Sequence, residues 1–212
     1  MATRTQTVTI APLKMSEVTF RIIGTAPYVQ AAFSQKSAEQ MRAKMEAGST
    51  ARKGVKREAR NFDSDYQAAH HRDKDGWIGI PAPAFRNALI SACRIVGFAM
   101  TRAKLALFVV ADGIDALDSS PLVRIIGEPR MVISHVRNET GVADLRARPH
   151  WDEWESYVTI RYDADMFTLE DVTNLMVRAG VQVGIGEGRP DSKKSTGQGW
   201  GTFRIAEEDE KA

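Results

Sequence analysis

The sequence has few of the features on which secreted, membrane and metal-binding proteins depend. Cys93 is the one cysteine, which excludes an internal disulfide framework and a cysteine cluster for zinc. No apolar run approaches the length of a membrane span, and the N-terminal residues MATRTQTVTIAP lack the apolar core of a signal peptide. We therefore expect a soluble cytoplasmic protein that has no contact with a membrane.

The chain also lacks a large net charge, since its formal charge at pH 7 is only +2. That charge is unevenly distributed. From Lys36 to Phe62 there are eight Lys and Arg residues against three Glu, whereas Glu207 to Glu210 is acidic. A local basic patch, rather than the total, determines where a polyanion binds. The basic segment therefore indicates nucleic-acid contact, and an ordinary solvated surface is the alternative.

Several familiar site signatures are absent. A Walker A loop has a glycine directly before its Lys-Ser pair, whereas Lys193 precedes Lys194-Ser195 here. The dinucleotide fingerprint lies between a strand and a helix, but the C-terminal glycines of this chain follow a predicted helix and precede a predicted strand. There is no His-x-x-x-His pair. We expect neither a metal nor a cofactor.

Alternating apolar residues predict strands. Val18–Ile23 and 154–162 each place apolar side chains on one face, and Trp77–Ile80 is a shorter candidate. Residues 105–148 contain several short apolar runs separated by turn residues, and Gly199–Ile205 has the pattern of a closing strand.

Two helices lie between these strands. Pro83 begins one, and Thr168 begins the other with a capping box. The predicted buried stripes are Phe85, Ala88, Leu89, Ala92, Cys93 and Val96, and Leu169, Val172, Leu175, Met176 and Ala179. A chain of 212 residues with 43% hydrophobic content suits one domain, residues 1–212. The order of elements predicts an α+β fold with a ferredoxin-like core and insertions.

Residues 48–76 are polar and show no apolar period, so we predict a long mobile arm, part of a basic insertion at about residues 36–76. Phe62 and Tyr66 are candidate stacking surfaces for bases. The adjacent pair His70-His71 is interpreted as polar surface.

Glycine is concentrated near the C-terminus, in a loop at about residues 180–201. Seven of the sixteen glycines fall there, beside Arg189, Lys193 and Lys194. Bare amides with adjacent cations suit a phosphate backbone, although Glu187 and Asp191 reduce the local charge. A flexible connector is the alternative.

Two motifs resemble those of one superfamily. The helix start Ile80-Pro-Ala-Pro-Ala-Phe-Arg86-Asn-Ala-Leu resembles the proline and helix-borne arginine segment of RAMP-superfamily proteins. The loop Gly184-Ile-Gly186-Glu-Gly188-Arg189, closing with Gly197-Gln-Gly199-Trp-Gly201-Thr-Phe203, resembles the glycine-rich C-terminal loop of that superfamily. The chain is thus similar to a backbone subunit of a CRISPR effector complex, or to a phage or plasmid relative.

The resemblance implies a modified RRM-like fold that binds guide RNA and polymerises along it beside other effector subunits, as a binding protein for antiviral defence rather than an enzyme. Binding would be independent of sequence and would weaken steeply with salt. The candidate RNA-binding residues are Lys53, Lys56, Arg57, Arg60, Arg86, Gly186, Gly188, Arg189, Lys193 and Lys194.

Two other functions stay open. One is an RNA-processing endonuclease of the same broad fold, with His70 or His71 as general base; His135 is a further candidate base. The other is a phage protein that coats single-stranded DNA, in which the arm mediates assembly.

Overall fold

The computed structural model describes residues 11–32, 60–137, 143–192 and 197–207, together with residues 39, 42–43, 45–46 and 210. The described residues form an α+β fold with two antiparallel sheets, as the sequence predicts. No described helix is both long and apolar enough to cross a bilayer.

The main elements follow one another along the chain with short connections. They are β1 (Met15–Gly24), β2 (Tyr28–Val29), α1 (Phe62–Ala68), β3 (Gly79–Pro81), α2 (Ala82–Ile95), α3 (Met100–Ala106), β4 (Leu107–Val110), β5 (Gly113–Ile114), β6 (Pro121–Ile126), β7 (Arg130–Arg137), β8 (Ala143–Trp151), β9 (Glu155–Asp163), α4 (Leu169–Arg178), a π-helical turn (Ala179–Val183) and β10 (Phe203–Ile205).

The main sheet is organised around β1 and β9, which pair antiparallel from Met15 opposite Asp163 to Ile23 opposite Glu155. On the outer side of β1 lies β10, and β4 pairs with the second half of β9, so these strands run in the order β10-β1-β9-β4. The first residues of β9 pair instead with β6, which also carries β3 and β5. Every pair is antiparallel.

One face of this sheet is buried because alternate residues of its strands are apolar. Phe20 and Ile22 of β1 and Val158 and Ile160 of β9 belong to a core that α2 and α4 complete. Burial of each such large side chain stabilises the fold by about 1.5–3 kcal/mol relative to exposure. The other face of the sheet is polar.

The predicted helices are confirmed, with corrections at their ends. The capping box is present, since the Thr168 side chain accepts from the Asp171 amide and the Asp171 side chain accepts from the Thr168 amide. Val96 is wrong as a core residue because α2 ends at Ile95, and Val96 is 48% exposed. Leu169 is also wrong, because it stands in the first turn of α4, ahead of the buried stripe.

The second sheet has the order β2-β8-β7, and β7 and β8 form a long hairpin. The short apolar runs predicted from the sequence end at residue 148, but β8 continues to Trp151. The reason is that Trp151 is fully buried and contacts Tyr28, with ring centroids 5.5 Å apart. The hairpin is thereby anchored to the main core.

The predicted mobile arm is wrong for residues 60–76. Asn61 caps α1, because its side chain accepts from the Ser64 amide, and α1 packs against β8. The chain then turns at Gly76, which has a positive φ. An apolar period did not reveal this helix because no residue within α1 is fully buried. Residues 48–59 lie outside the described part of the chain.

Candidate nucleic-acid interface

The glycine-rich loop is packed onto the fold by its own backbone. The Ile185 amide donates to the Gly201 carbonyl (2.9 Å), the Glu187 amide to that of Val29 (3.0 Å) and the Gly201 amide to that of Pro27 (2.8 Å). The described part of the loop is therefore no free connector. The prediction of bare amides is wrong for these three residues, whose N–H groups are used within the fold.

Glycine is required where the loop touches its neighbours. Gly186 has φ +77°, and a Cβ there would lie 2.6 Å from both Tyr28 Cε2 and Val29 O. Gly188 has φ +76°, and its Cβ would lie 2.5 Å from Trp200 Cε3. Both predicted site glycines thus have a structural reason to be glycine, independent of any ligand.

The acidic residues of the loop pair with arginines from other elements. Arg148 of β8 donates to Glu187 (2.9 Å), and Arg94 of α2 donates to both carboxylate oxygens of Asp191 (3.0 Å each). Burial acts to raise the pKa of Asp191, but hydrogen bonds from Ser91 and Arg94 hold it below its usual value. Glu187 and Asp191 are thus paired with arginines from other elements, while the charge of Arg189 also acts on the Asp191 carboxylate.

Arg189 lies at the edge of the loop with donors beside it. Its Nη1 donates to the Gly186 carbonyl (3.0 Å), which holds the half-buried side chain against the loop. The amides of Gly186, Gly188 and Arg189 donate no hydrogen bond to any residue that the structure describes. Gly188 is buried against Trp200, so the donors that suit a phosphate oxygen are the Arg189 guanidinium and the amides of Gly186 and Arg189.

His150 joins the hairpin to this loop. Its ring meets the Trp200 ring edge to face, with centroids 5.0 Å apart. Burial and the nearby Arg130 lower the pKa of His150, which favours the neutral imidazole. Its Nε2 is buried and has no partner in the described structure. The side chain therefore contributes an aromatic contact rather than a positive charge.

Arg86 and Arg60 make contacts within the fold. Arg86 Nε donates to the Leu107 carbonyl (2.9 Å), Nη2 donates to the Lys104 carbonyl, and the guanidinium lies over the Phe108 ring. Arg60 bridges two carboxylates, Asp65 at 2.6 Å and Asp144 at 2.7 Å. An RNA contact by either arginine stays a prediction. Lys53, Lys56, Arg57, Lys193 and Lys194 lie outside the described residues.

Tyr66, a predicted stacking surface, is half-buried within the fold. Its ring meets His70 edge to face, and its hydroxyl donates to the Pro129 carbonyl. Phe62 is half-buried under the Arg60 guanidinium, 5.8 Å from the ring centroid. Neither ring presents two free faces to a base.

The adjacent histidines are not polar surface, so that interpretation is wrong. His70 is 3% exposed, and burial and Arg72 lower its pKa. His71 Nδ1 lies 2.8 Å from Asp115 Oδ2, and the Asp115 side chain is 3% exposed. Asp115 is 44 residues away in sequence, in the turn after β5, so no local pattern pointed to the pair.

One group of described residues has the ligand types and spacing to hold a metal ion. Ligand atoms of His71, Asp115 and Asp118 all lie within 4.8 Å of one another. Burial acts to raise the pKa of Asp118, but hydrogen bonds from Ser120 and the electrostatic effect of His71 hold it below its usual value. No spacing pattern in the sequence indicates this group, because its members come from two separate turns.

Compared with known proteins, the chain matches no protein-family model and has no significant match among curated sequences.

Proposed function

We propose that this chain binds single-stranded RNA without sequence preference, as a repeating subunit of a ribonucleoprotein. The glycine-rich loop with Arg189 would hold the phosphate backbone. The proposal joins this site to the resemblance between two sequence motifs and RAMP-superfamily proteins, so a CRISPR guide RNA is the expected ligand. Other copies of the chain and further effector subunits are the expected partners.

The strand order supports a ferredoxin-like core within this proposal. Strands β1, β4, β9 and β10, with α2 and α4, follow one another as β-α-β-β-α-β when the inserted elements are set aside. Their spatial order is β10-β1-β9-β4, and both helices pack on one face. This is the order of a split β-α-β fold. The loop that carries Arg189 connects the second helix of that core to its last strand.

A single observation carries the assignment of the site. The loop is held by hydrogen bonds at both ends, and its two carboxylates are paired with arginines from other elements. The half-buried part of the loop then offers the Arg189 guanidinium and the amides of Gly186 and Arg189, which donate to no described residue. A preorganised set of donors loses little conformational entropy when it binds a phosphate. A rigid anion site of this kind recognises a backbone rather than a base, which accounts for binding without sequence preference.

The first test measures RNA affinity by fluorescence anisotropy across a range of salt concentrations. Arg189→Gln removes one cation and is expected to weaken binding about 10-fold, or about 1.4 kcal/mol. Loss of one phosphate contact also reduces the slope of log K against log salt by about 0.7. Arg102→Gln is the matched control, because Arg102 is exposed on α3 and packs over Phe98.

Equal, small effects of the two substitutions would mean that only the overall charge matters and that the loop is not the site. The triple variant Arg189→Gln, Lys193→Gln, Lys194→Gln tests the predicted loop cations together. If it leaves affinity and salt slope unchanged, the assignment is wrong. Single-stranded DNA of equal length is the comparison ligand, and stronger binding to DNA would favour the DNA-coating function.

Assembly is tested by size-exclusion chromatography with absorbance at 260 and 280 nm, before and after RNase treatment. A large species with high 260 nm absorbance that collapses on RNase treatment is expected. A nucleic-acid-free monomer at both low and high salt would count against a repeating RNA-bound subunit.

A second candidate function, RNA cleavage, is favoured by the contact between His71 and Asp115. A buried carboxylate 2.8 Å from Nδ1 fixes the orientation of the imidazole. The other ring nitrogen, Nε2, would then take the proton from a 2′-hydroxyl, whose oxygen bonds to the adjacent phosphorus as the bond from phosphorus to the 5′-oxygen breaks. The leaving 5′-oxygen would take a proton from the protonated imidazole or from water. Cleavage of this kind needs no metal.

Incubation with a labelled RNA hairpin tests this candidate. His71→Ala is expected to slow cleavage about 10²–10⁴-fold, and Asp115→Asn is expected to slow it while RNA binding is kept. Arg102→Gln is the control, because Arg102 is exposed on α3 and packs over Phe98. His135→Ala tests the further candidate base, and slower cleavage in that variant but not in His71→Ala would move the base to His135. Absence of product with the unmodified protein would exclude the nuclease and leave the binding proposal intact.

A further inference from the structure

The polar face of the main sheet has a distinct set of side chains. The register places Arg21 opposite Tyr157 and Thr19 opposite Thr159, and the two threonine hydroxyls are 2.8 Å apart. These side chains therefore share a face, while α2 and α4 pack on the other. The face is a surface separate from the glycine-rich loop.

Two stacking positions lie along β9 on this face. Tyr157 is 46% exposed in the middle of the strand. Arg161, four residues further, is exposed, and its guanidinium lies 5.9 Å from the centroid of Phe108 on β4. At about 3.3 Å per residue the two positions are about 13 Å apart along the strand. Aromatic rings and guanidinium planes both stack on nucleic-acid bases.

An acidic segment of the chain itself occupies one margin of the face. The Glu210 carboxylate binds Arg204 of β10 at 2.5 and 2.8 Å, and the Arg21 Nη1 donates to the Glu210 carbonyl at 2.5 Å. A cleft of about 450 Å³ is lined there by Arg204, Ile205, Glu207 and Glu210. Arg204 at this margin thus binds a carboxylate of the chain itself. A phosphate of a nucleic-acid backbone is also an anion with oxygen acceptors, so it suits the same guanidinium.

The carboxylates on the face limit which cations are available to a ligand. Glu155 accepts from Arg21 at 2.6 and 3.0 Å, and Glu17 lies opposite Arg161 in the register. Charge alone therefore does not make this a strong phosphate site. The exposed aromatic ring supplies the additional attraction, and it favours a ligand with flat, unpaired bases.

We propose that this sheet face binds single-stranded RNA, with bases stacked on Tyr157 and Arg161 and a phosphate at Arg204, where it displaces Glu210. The inference rests on the proposed RNA-binding function and adds a second surface to it. The loop holds the backbone of the strand, and the sheet holds bases.

The test compares RNA affinity of full-length variants by anisotropy with a labelled single-stranded RNA of mixed sequence. Tyr157→Ala is expected to weaken binding about 10-fold with an unchanged salt slope, because stacking is not electrostatic. Tyr157→Phe keeps the ring and is expected to bind like the unmodified protein. Glu210→Gln is expected to tighten binding about threefold, because a surface ion pair with Arg204 is removed.

Leu169→Ala is the control, since Leu169 is 54% exposed on the helix side. Tyr157→Trp adds a readout that does not depend on the stability of the alanine variant: RNA should quench its fluorescence more than that of the unmodified protein. Unchanged affinity in Tyr157→Ala, with no added quenching in Tyr157→Trp, overturns the inference. If Arg189→Gln still weakens binding in that case, the proposed function stands.

Two further outcomes also overturn the inference. If Tyr157→Ala alters self-association but not RNA affinity, the face is a protein contact. If the unmodified protein binds no RNA at all, the proposed function fails, and this second surface fails with it.

Discussion

Gly201, near the end of the glycine-rich loop, packs directly against Ile185 near the start of the loop. A Cβ at this position would be 1.8 Å from the Ile185 carbonyl oxygen, and its φ is +66°. Gly199, two residues earlier, has a similar φ of +77° but open space around the position of a Cβ. A comparison of alanine substitutions at the two positions therefore separates the free-energy cost of the left-handed backbone from the cost of a steric clash.

We expect Gly201→Ala to destabilise the protein by more than Gly199→Ala does. The left-handed conformation alone costs an alanine about 1–2 kcal/mol, and this applies at both positions. Gly201→Ala must in addition displace backbone, so its total cost should exceed about 3 kcal/mol. Urea unfolding followed by tryptophan fluorescence measures both. Equal destabilisation by the two variants would mean that the loop is not packed as described.

Some residues contact only near neighbours in the sequence, and others contact residues that are far away in the sequence. Only contacts of the first kind could be predicted. The Thr168–Asp171 capping box was predicted because both partners lie within one helical turn. The contact of His71 with Asp115 was not, because it depends on two turns that meet only in the folded chain. The pairing of Glu187 with Arg148 belongs to the second kind, and it changes the electrostatics of the candidate site.

At the scale of elements, strands with one buried face were the easiest to predict. β1 and β9 alternate apolar and polar residues over their length, because one face meets the core and the other is open. The short helix α1 was missed for the converse reason. It buries no residue completely and begins with Asn61, Asp63 and Asp65, so its sequence has the composition of a loop. The sequence feature that indicates this helix is the N-cap residue Asn61, not a period of apolar residues.

The glycine-rich loop is an element whose composition indicated its position but not its structure. Its glycines predicted unusual backbone conformations, and Gly186 and Gly188 have positive φ. Composition did not reveal that the loop packs against β2 and the hairpin, which makes several of its amides unavailable to a ligand. Contacts between distant segments determine which donors remain.

At the scale of the whole molecule, the sequence predicted the α+β class but not which strands are neighbours. The order β10-β1-β9-β4 brings the two ends of the described chain together at β1 and β10. The pairing of β6 with the first residues of β9, and of β3 and β5 with β6, could not be predicted, since short apolar runs do not indicate their partners. The α+β class is confirmed, and the ferredoxin-like core is a proposal that this order supports.

The buried histidines make the stability of the whole molecule depend on pH. Burial lowers the pKa of both His70 and His150. Their ordinary value is near 6.5. As the pH falls through that value, the unfolded chain takes up protons that the folded protein resists, so stability is full above about pH 6.5 and is lost below it. Arginines lower the pKa values of Asp144 and Asp152 in the folded protein. Protonation of these two carboxylates therefore causes a second loss of folding stability at more acidic pH.

We therefore expect the Tm to be level from pH 8 to pH 7 and to fall between pH 6.5 and pH 5, as measured by thermal unfolding at constant ionic strength. The double variant His70→Gln, His150→Gln should have a lower Tm at pH 8, because it disturbs two packed rings. Its Tm should fall much less than that of the unmodified protein between pH 6.5 and pH 5. His135→Gln is the control, since His135 is exposed. A Tm that stays constant down to pH 5 in the unmodified protein would show that His70 and His150 are accessible to protons in the folded state.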